Sequence, residues 1–411
     1  MFGDALDLLC HWQYNDAAFE IPPAQKHRQK IHTLLDLLFR KLGLIDWLLG
    51  QLCDLGKCRR DLQCLLRIGA CRLLYGEILP PPVVIDTCVR LASRRFSRHQ
   101  ANFVNAVLRR LQRERRQLLE QPPEPMTPSA RHNLGSELIE QWRSHLGPEE
   151  VARLAELAQT PAPMIVRRRG DRAAAPENAS PAEALLQPLP ALPWLDGQSF
   201  FICAKPREFL ASTAFRRGLF YIQDPATALA PAMLQATPGE KIADLCAAPG
   251  GKTLLLAEAM REQGLLVAAD RDLRRLGRLR ENLRGTEAAL TVADAAAPPF
   301  RRGGLDGVLL DLPCTNTGVV RRRPDVRWRF SRQLMARLTE MQQRILDGAA
   351  PLVANGGRLV YSTCSIEPEE NEERIRDFLA AHPQFKLERE TRLMPGEWHD
   401  GAYAALLRRK P

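Results

Sequence analysis

This 411-residue chain has no run of about 18 uncharged apolar residues, the length a membrane-spanning helix needs, so no span is expected. Its opening stretch, MFGDALDLLCHWQYND, carries early acids and no basic lead, and does not read as a secretion signal. No internal repeat is found. The Cys-x-x-Cys pair is missing too: Cys53, Cys58, Cys64, Cys71 and Cys88 cluster at wider spacings with no paired histidines after them. Structural zinc wants tighter ligand spacing, so these cysteines read as small buried hydrophobes and no metal is expected. Ten cysteines in a chain this long do not make a small disulfide scaffold. Without a signal the cytoplasm is the expected setting, with the thiols reduced.

What is present bounds the rest. The length exceeds one ordinary core, so two or three domains are expected. Apolar residues make up 45% of the chain, normal for a globular protein. Net charge is +10 with a pI near 9.3, and arginine dominates. That excess favours a polyanionic partner without identifying one.

Residues 25–119 read as all-helical. Leu62, Leu65, Leu66, Gly69, Leu73 and Leu74 recur at three- and four-residue spacing, the pattern of one buried helix face. Leu34, Leu35, Leu37, Leu38 and Leu42 behave similarly, the prolines at 80–82 interrupt, and Asn102–Leu119 resumes the pattern. Arg90, Arg94, Arg95, Arg98, Arg109, Arg110, Arg113, Arg115 and Arg116 decorate the later part, either as a solvated basic face or as an RNA-contact surface. Between 121 and 199 the composition shifts to proline, alanine and charge, including 172–180, which reads as connectors around a small module. Phe200–Cys203 and Leu219–Ile222 are short strand-like runs. From about Gln223, strand-like runs at Lys241–Cys246, Leu265–Asp270, Leu290–Val292, Leu305–Asp311 and Gly357–Ser362 alternate with helical patterns at Lys252–Glu262, Leu273–Leu283 and Ser331–Leu352. Such alternation predicts a parallel, doubly wound α/β sheet.

After the first of these strands comes Asp244-Leu-Cys-Ala-Ala-Pro-Gly-Gly-Lys-Thr253. The phosphate-loop motif needs a glycine where this chain has Cys246, and no Gly-x-Gly-x-x-Gly follows the strand, which weighs against a dinucleotide. Cys246, Ala247, Ala248, Pro249, Gly250, Gly251 and Lys252 nevertheless bring backbone close to a ligand. Asp270 ends the next strand, where an acid can accept from ribose hydroxyls, and Asp294 ends the third, within reach of an adenine amino group. Each acid taken singly is also an ordinary cap or turn residue. Successive acids without a diphosphate cradle suit a cationic adenosine ligand lacking phosphates, and S-adenosylmethionine fits.

Two thiols follow predicted strands: Cys314 in Asp311-Leu-Pro-Cys-Thr and Cys364 in Tyr361-Ser-Thr-Cys-Ser. With Gln223-Asp-Pro-Ala226, the glycine turn, Asp270-Arg-Asp272, Asp294, Gly318-Val-Val-Arg-Arg-Arg-Pro-Asp325, Glu369-Glu-Asn-Glu372 and Asp400-Gly-Ala-Tyr403, they make residues 223–408 resemble the catalytic domain of the Sun/NOL/NOP family of RNA cytosine-5 methyltransferases. Residues 25–119 resemble the NusB-like helical domain of one branch, that of the bacterial 16S ribosomal RNA methyltransferases B, most clearly at Phe103-Val-Asn-Ala-Val-Leu-Arg-Arg110. The resemblance implies a NusB-like RNA-binding domain at 1–125, a linker with a small α/β RNA-recognition module at 126–220, and a Rossmann-like methyltransferase domain at 221–411. Where the family has Pro-Cys-Ser-Gly, this chain has Pro313-Cys-Thr-Asn316; asparagine tolerates left-handed backbone, so the turn is expected to persist.

Cytosine C5 is too weak a nucleophile to take a methyl group unaided. A thiolate added at C6 pushes electron density onto C5, and an acid near N3 stabilises that state. Asp311 stands three residues before Cys314 and suits the task. Spacing alone leaves open which cysteine attacks; the resemblance implies Cys364, with Cys314 assisting proton removal or release. A stacked cytosine hides its target atom, so the base must be unpaired or flipped out; the resemblance implies ribosomal RNA as the partner. Arg321, Arg322, Arg323, Arg327 and Trp328 are the candidate RNA contacts, holding phosphates and stacking a base, against the alternative of a plain basic run. A monomer is expected. The same chemistry on transfer RNA, and a non-catalytic RNA-binding assembly factor, are the rival readings.

Overall fold

Burial follows the helical periodicity of the N-terminal region. The computed structural model describes residues 1–13, 19–76, 79–121, 124–170, 182–195 and 199–411. Helices α1 (Phe2–Gln13), α2 (Arg28–Leu52), α3 (Arg60–Tyr75), α4 (Pro81–Arg95), α5 (Arg98–Glu120), α6 (Pro128–His132), α7 (Ser136–His145) and α8 (Pro148–Gln159) build one unit, Met1–Pro161, which also takes in Arg323–Arg332. Leu62, Leu65, Leu66, Leu73 and Leu74 of α3 are buried in its core with Leu34, Leu35, Leu38 and Leu42 of α2. Each such leucine contributes roughly 1.5–3 kcal/mol by leaving water. The prolines that interrupt the pattern form the first turn of α4, where a missing N–H is no loss. Ser97 caps α5 by accepting from Gln100 N at 3.2 Å. Cys64, Cys71 and Cys88 lie in this core, and burial pushes the Cys71 and Cys88 thiols up to about 12.

The second unit spans Ala162–Arg322 and Gln333–Pro411. It opens with a small antiparallel sheet of β1 (Ile165–Arg168), β2 (Leu186–Pro188), β3 (Phe200–Cys203) and β4 (Phe220–Ile222), in the order β2-β3-β1-β4, flanked by α9 (Pro206–Leu210) and α10 (Thr213–Arg216). Buried Arg167 donates to Gln223 Oε1 at 2.8 Å and pairs with Glu258, which ties the small sheet to the larger one. The 126–220 region therefore divides: α6–α8 group with the helical unit and only the small sheet with the second.

The larger sheet is built from β5 (Lys241–Asp244), β6 (Leu265–Asp270), β7 (Ala289–Val292), β8 (Leu305–Asp311), β9 (Val353–Thr363), β10 (Phe385–Leu393) and β11 (Ala402–Arg409), in the order β10-β11-β9-β8-β5-β6-β7. Strands β5 to β9 run parallel, and β11, paired antiparallel with both β9 and β10, alone runs the other way. Helices α11 (Leu229–Leu234), α12 (Gly251–Ala259), α13 (Leu273–Asn282), α14 (Val326–Arg329), α15 (Arg332–Ala349) and α16 (Glu372–Ala381) complete the order, α14 lying with the helical unit. The chain leaves β5 toward β6 on one side and later adds β8 on the other. This reversal opens a crevice beyond the strand ends, where Rossmann-like α/β sheets bind ligands.

Residues 323–332 correct one sequence expectation. Arg327, a candidate RNA contact, is fully buried in the helical unit and donates to Ala158 O near the C-terminal end of α8. Burial and the neighbouring Arg40 lower its guanidinium to about 9. Trp328 packs against the helical core and donates from Nε1 to Phe39 O at 2.7 Å. Arg327 is committed inside the protein, and half-buried Trp328 is fastened to the helical core by its indole N–H, so neither is a free phosphate grip or base platform. Trp328→Ala is expected to destabilise the helical unit by about 2–3 kcal/mol in urea titration, somewhat below the cost of a fully buried tryptophan. Unchanged stability combined with weakened RNA binding would contradict this placement.

Candidate active site

The glycine turn sits at the reversal point because β5 ends there. Asp244, its last residue, is fully buried and accepts from Thr253 Oγ1 at 2.7 Å, while its other oxygen, Oδ1, is buried without a partner among the described residues. Burial, only partly offset by Thr253, pushes the carboxyl up to about 7. Ala247 N donates to Ala269 O at 2.9 Å, fastening the turn to β6. Gly250 has φ of 109°, a backbone conformation that favours glycine. Cys246 and Gly251 are half-buried, Ala247 and Ala248 buried, and Pro249 exposed.

Asp270, ending β6, is buried with one oxygen accepting from Asp272 N at 3.0 Å and the other from Ala248 N at 3.3 Å. Arg275 bridges it to the turn, pairing with Asp270 at 3.3 Å and donating to Ala248 O at 2.7 Å. Asp294 is exposed just past β7 and accepts from Ala296 N at 3.0 Å, the ordinary work of a turn acid. Lys252 reaches from the start of α12 to Asp311 at the end of β8, Nζ to Oδ2 at 2.7 Å. Burial opposes the ammonium, but the Asp311 carboxylate more than compensates and leaves Lys252 above its usual range.

The two thiols are in contact, Sγ to Sγ at 3.3 Å. Parallel β8 and β9 pair Asp311 with Ser362, so the cysteines leave adjacent strands at the same level. Cys314 is buried at 5% exposure and Cys364 is half-buried. The hydrogen bond to Cys364, then burial, hold the Cys314 thiol well above its usual range. Cys364 is the more accessible sulfur of the pair. Asn316 stands at φ 64°, the left-handed geometry expected at the position where the family carries glycine. Its side chain adds what glycine cannot: Nδ2 donates to Cys314 O at 2.7 Å, and Oδ1 accepts from Cys364 Sγ at 3.1 Å.

The loop after Cys314 is fixed by the outer motifs. Gly318 N donates to Cys364 O at 3.0 Å and Gly401 N to Gly318 O at 2.8 Å. A Cβ on Gly318 would sit 2.7 Å from Cys364 O, so only glycine lets these backbones meet. Arg322 pairs with Asp224 and Asp400, each at 2.8 Å. This is a second correction: a guanidinium held by two carboxylates is spent on the loop and is not a free phosphate grip. Arg321 donates to Glu397 O at 2.7 Å and Arg323 is exposed, leaving these two of the five candidates at accessible positions. The side-chain partners of Asn316, Lys252, Asp224 and Asp400 were not anticipated; their motifs were visible, but most of the partners are distant in sequence.

Residues 231–404 match the family described as 16S rRNA methyltransferase RsmB/F, and residues 5–113 match the NusB family. The probable ribosomal RNA small subunit methyltransferase B of Synechocystis sp. is 31% identical over 401 residues, covering 94% of this chain and 88% of the relative. The ribosomal RNA small subunit methyltransferase B of Photorhabdus laumondii is 32% identical over 361 residues, covering 85% and 81%. Among solved structures, the crystal structure of PH0851 superposes with a TM-score of 0.76 at 27% identity, covering 94% of this chain and 92% of that one.

Asp244 also generates a pH test. Its carboxyl is raised from 3.8 in the unfolded reference to about 7, so the native state holds the proton more tightly than the unfolded chain does. The stability this gives is fully present below about pH 4 and is lost as pH rises through about 7. Relative to Asp244→Asn, the ligand-free parent should lose about 2–3 kcal/mol between pH 5 and pH 8, taking 1.36 kcal/mol per pH unit. Urea titration at both pH values checks this, and a gap that does not change with pH would contradict it.

Proposed function

The chain belongs to the 16S rRNA methyltransferase RsmB/F family, and from that premise we propose that it methylates C5 of a cytosine in small-subunit ribosomal RNA through a transient Cys364–C6 bond. It is an S-adenosylmethionine-dependent RNA methyltransferase. The observation that carries the cytosine-5 reading is the thiol pair: two cysteines at 3.3 Å, one buried and holding its proton, the other more accessible.

The residues at the reversal point suit the cofactor. The unpartnered Asp244 Oδ1 offers a buried acceptor, Asp270 stands against the turn to meet ribose hydroxyls, and Ala247 and Ala248 leave room for a ligand beside the backbone. Cys246, Pro249, Gly250, Gly251 and Lys252 complete the cradle, Asp294 lies past β7 for the base, and Asp311 borders both cofactor and substrate. S-adenosylmethionine supplies an electrophilic methyl group when bound.

The chain's own residues handle the pyrimidine. Cys364 sulfur adds to C6, forming an S–C bond and moving an electron pair toward N3. The proton of the Cys364 thiol passes through solvent to N3, where Asp311, held at 2.7 Å by Lys252, accepts a hydrogen bond from the new N3–H and so favours the adduct. When the adduct breaks down, that proton returns through solvent to the thiol pair. Once C5 carries the methyl group, its proton leaves to solvent and the C6–S bond breaks. Cys314 then donates its proton to the departing sulfur. Arg321 and Arg323 supply cations for phosphate, and the helical unit by itself carries the exposed Arg94, Arg98, Arg113 and Arg115 as further cations for ribosomal RNA.

Cys314→Ser should accumulate a denaturation-stable protein–RNA adduct, because attack survives while release slows. Cys364→Ser should neither methylate nor cross-link. Incubation with unmodified small-subunit ribosomal RNA and labelled S-adenosylmethionine, followed by denaturing electrophoresis, reads both outcomes; the opposite pattern would exchange the two roles.

A further inference from the structure

The Glu369-Glu-Asn-Glu372 motif has no part in the chemistry above, yet two of its residues grip both thiol loops. Glu370 is fully buried, and its carboxylate accepts from Thr315 N at 2.9 and 3.2 Å, from the Thr315 hydroxyl, and from Gln342 Nε2 at 3.0 Å. Gln342 Nε2 also donates to Pro313 O at 2.9 Å, so Cys314 is flanked on both sides by groups tied to this one carboxylate. Asn371, also fully buried, holds the other loop: its Oδ1 accepts from Thr363 Oγ1 at 2.6 Å and its Nδ2 donates to Ser365 O at 3.0 Å, bracketing Cys364. Consecutive residues at the head of α16 thus hold chiefly different thiol loops, Glu370 reaching the Cys364 loop only through the Ser365 hydroxyl.

We propose that Glu370 is the positioning residue for the proton-donating thiol Cys314, and Asn371 the positioning residue for the attacking thiol Cys364, so that the two act on different steps of the reaction. This rests on the cysteine roles proposed above. A buried carboxylate satisfied by four donors, the Ser365 hydroxyl among them, is costly to dismantle, and its geometry is set by having two acceptor oxygens. Glutamine keeps the shape but offers one acceptor and an N–H₂ that faces the Thr315 N–H. Its introduction should loosen Thr315, and with it Cys314, while Thr363 and Ser365 keep Asn371.

The test uses the full chain with S-adenosylmethionine and unmodified small-subunit ribosomal RNA transcript, comparing Glu370→Gln, Thr315→Val, Asn371→Ala and Cys314→Ser. Glu370→Gln should retain single-turnover methylation, lose multiple turnover by at least tenfold, and accumulate adduct as Cys314→Ser does. Asn371→Ala should lose single-turnover methylation and form no adduct. Peptide-mapped alkylation by iodoacetamide gives a second readout that does not depend on which cysteine attacks: Glu370→Gln should raise labelling of Cys314 severalfold and leave Cys364 unchanged. Thr315→Val, which removes the hydroxyl grip alone, should shift both readouts the same way and carries the test if Glu370→Gln does not fold. Absence of adduct in Cys314→Ser would sink the cysteine assignment alone. Unchanged Cys314 labelling in the folded Glu370→Gln or Thr315→Val protein, or identical step defects in Glu370→Gln and Asn371→Ala, would overturn the division of labour.

Discussion

Parallel pairing of β8 with β9 is the constraint on which the site depends. With Asp311 opposite Ser362, each strand delivers its cysteine a few residues past the same sheet edge, and the sulfurs meet at 3.3 Å. Strand side chains alternate between faces, so a one-residue slip would turn Asp311 and its neighbours to the opposite face. Burial then separates two chemically identical groups. The inner thiol is held well above its usual range and the outer one is more accessible, a difference that environment imposes and residue type does not.

The parts of the fold that read clearly from sequence were those whose middle is buried. Leu266–Ala269 and Val308–Leu310 are apolar runs at the heart of their strands. β10 escaped notice because it is an edge strand carrying Lys386, Glu388, Arg389 and Glu390, charges that guard an open edge and blur the strand pattern. Helices α6 to α8 were hidden by proline, alanine and charge in a segment that reads as connector, although Trp142 within it is fully buried. Short helices carry few periodic positions, and tertiary packing decides them.

At the site, residue types were legible and partners were not. A run of arginines after Cys314 shows charge but not direction. In the folded chain Arg322 turns to Asp224 and Asp400, and Arg327 is drawn to the carbonyl of Ala158 close to the end of α8, where helix carbonyls lack donors. Asn316 shows the same limit from the other side. Its left-handed backbone follows from the turn, whereas the bridge its amide makes between Cys314 and Cys364 depends on two strands meeting. The buried polar groups around the thiols, Thr315, Thr317, Ser365, Glu370 and Asn371, satisfy one another and form a fixed frame in which a sulfur position is specified closely.

The account is tested most directly by locating the covalent bond itself. RNA carrying 5-fluorocytosine cannot lose the C5 substituent as a proton, so the unaltered protein should remain attached after one methyl transfer. Protease digestion and tandem mass spectrometry then identify the modified peptide. The account predicts the nucleotide on the peptide containing Cys364; attachment to Cys314, or no attached nucleotide at all, would contradict it.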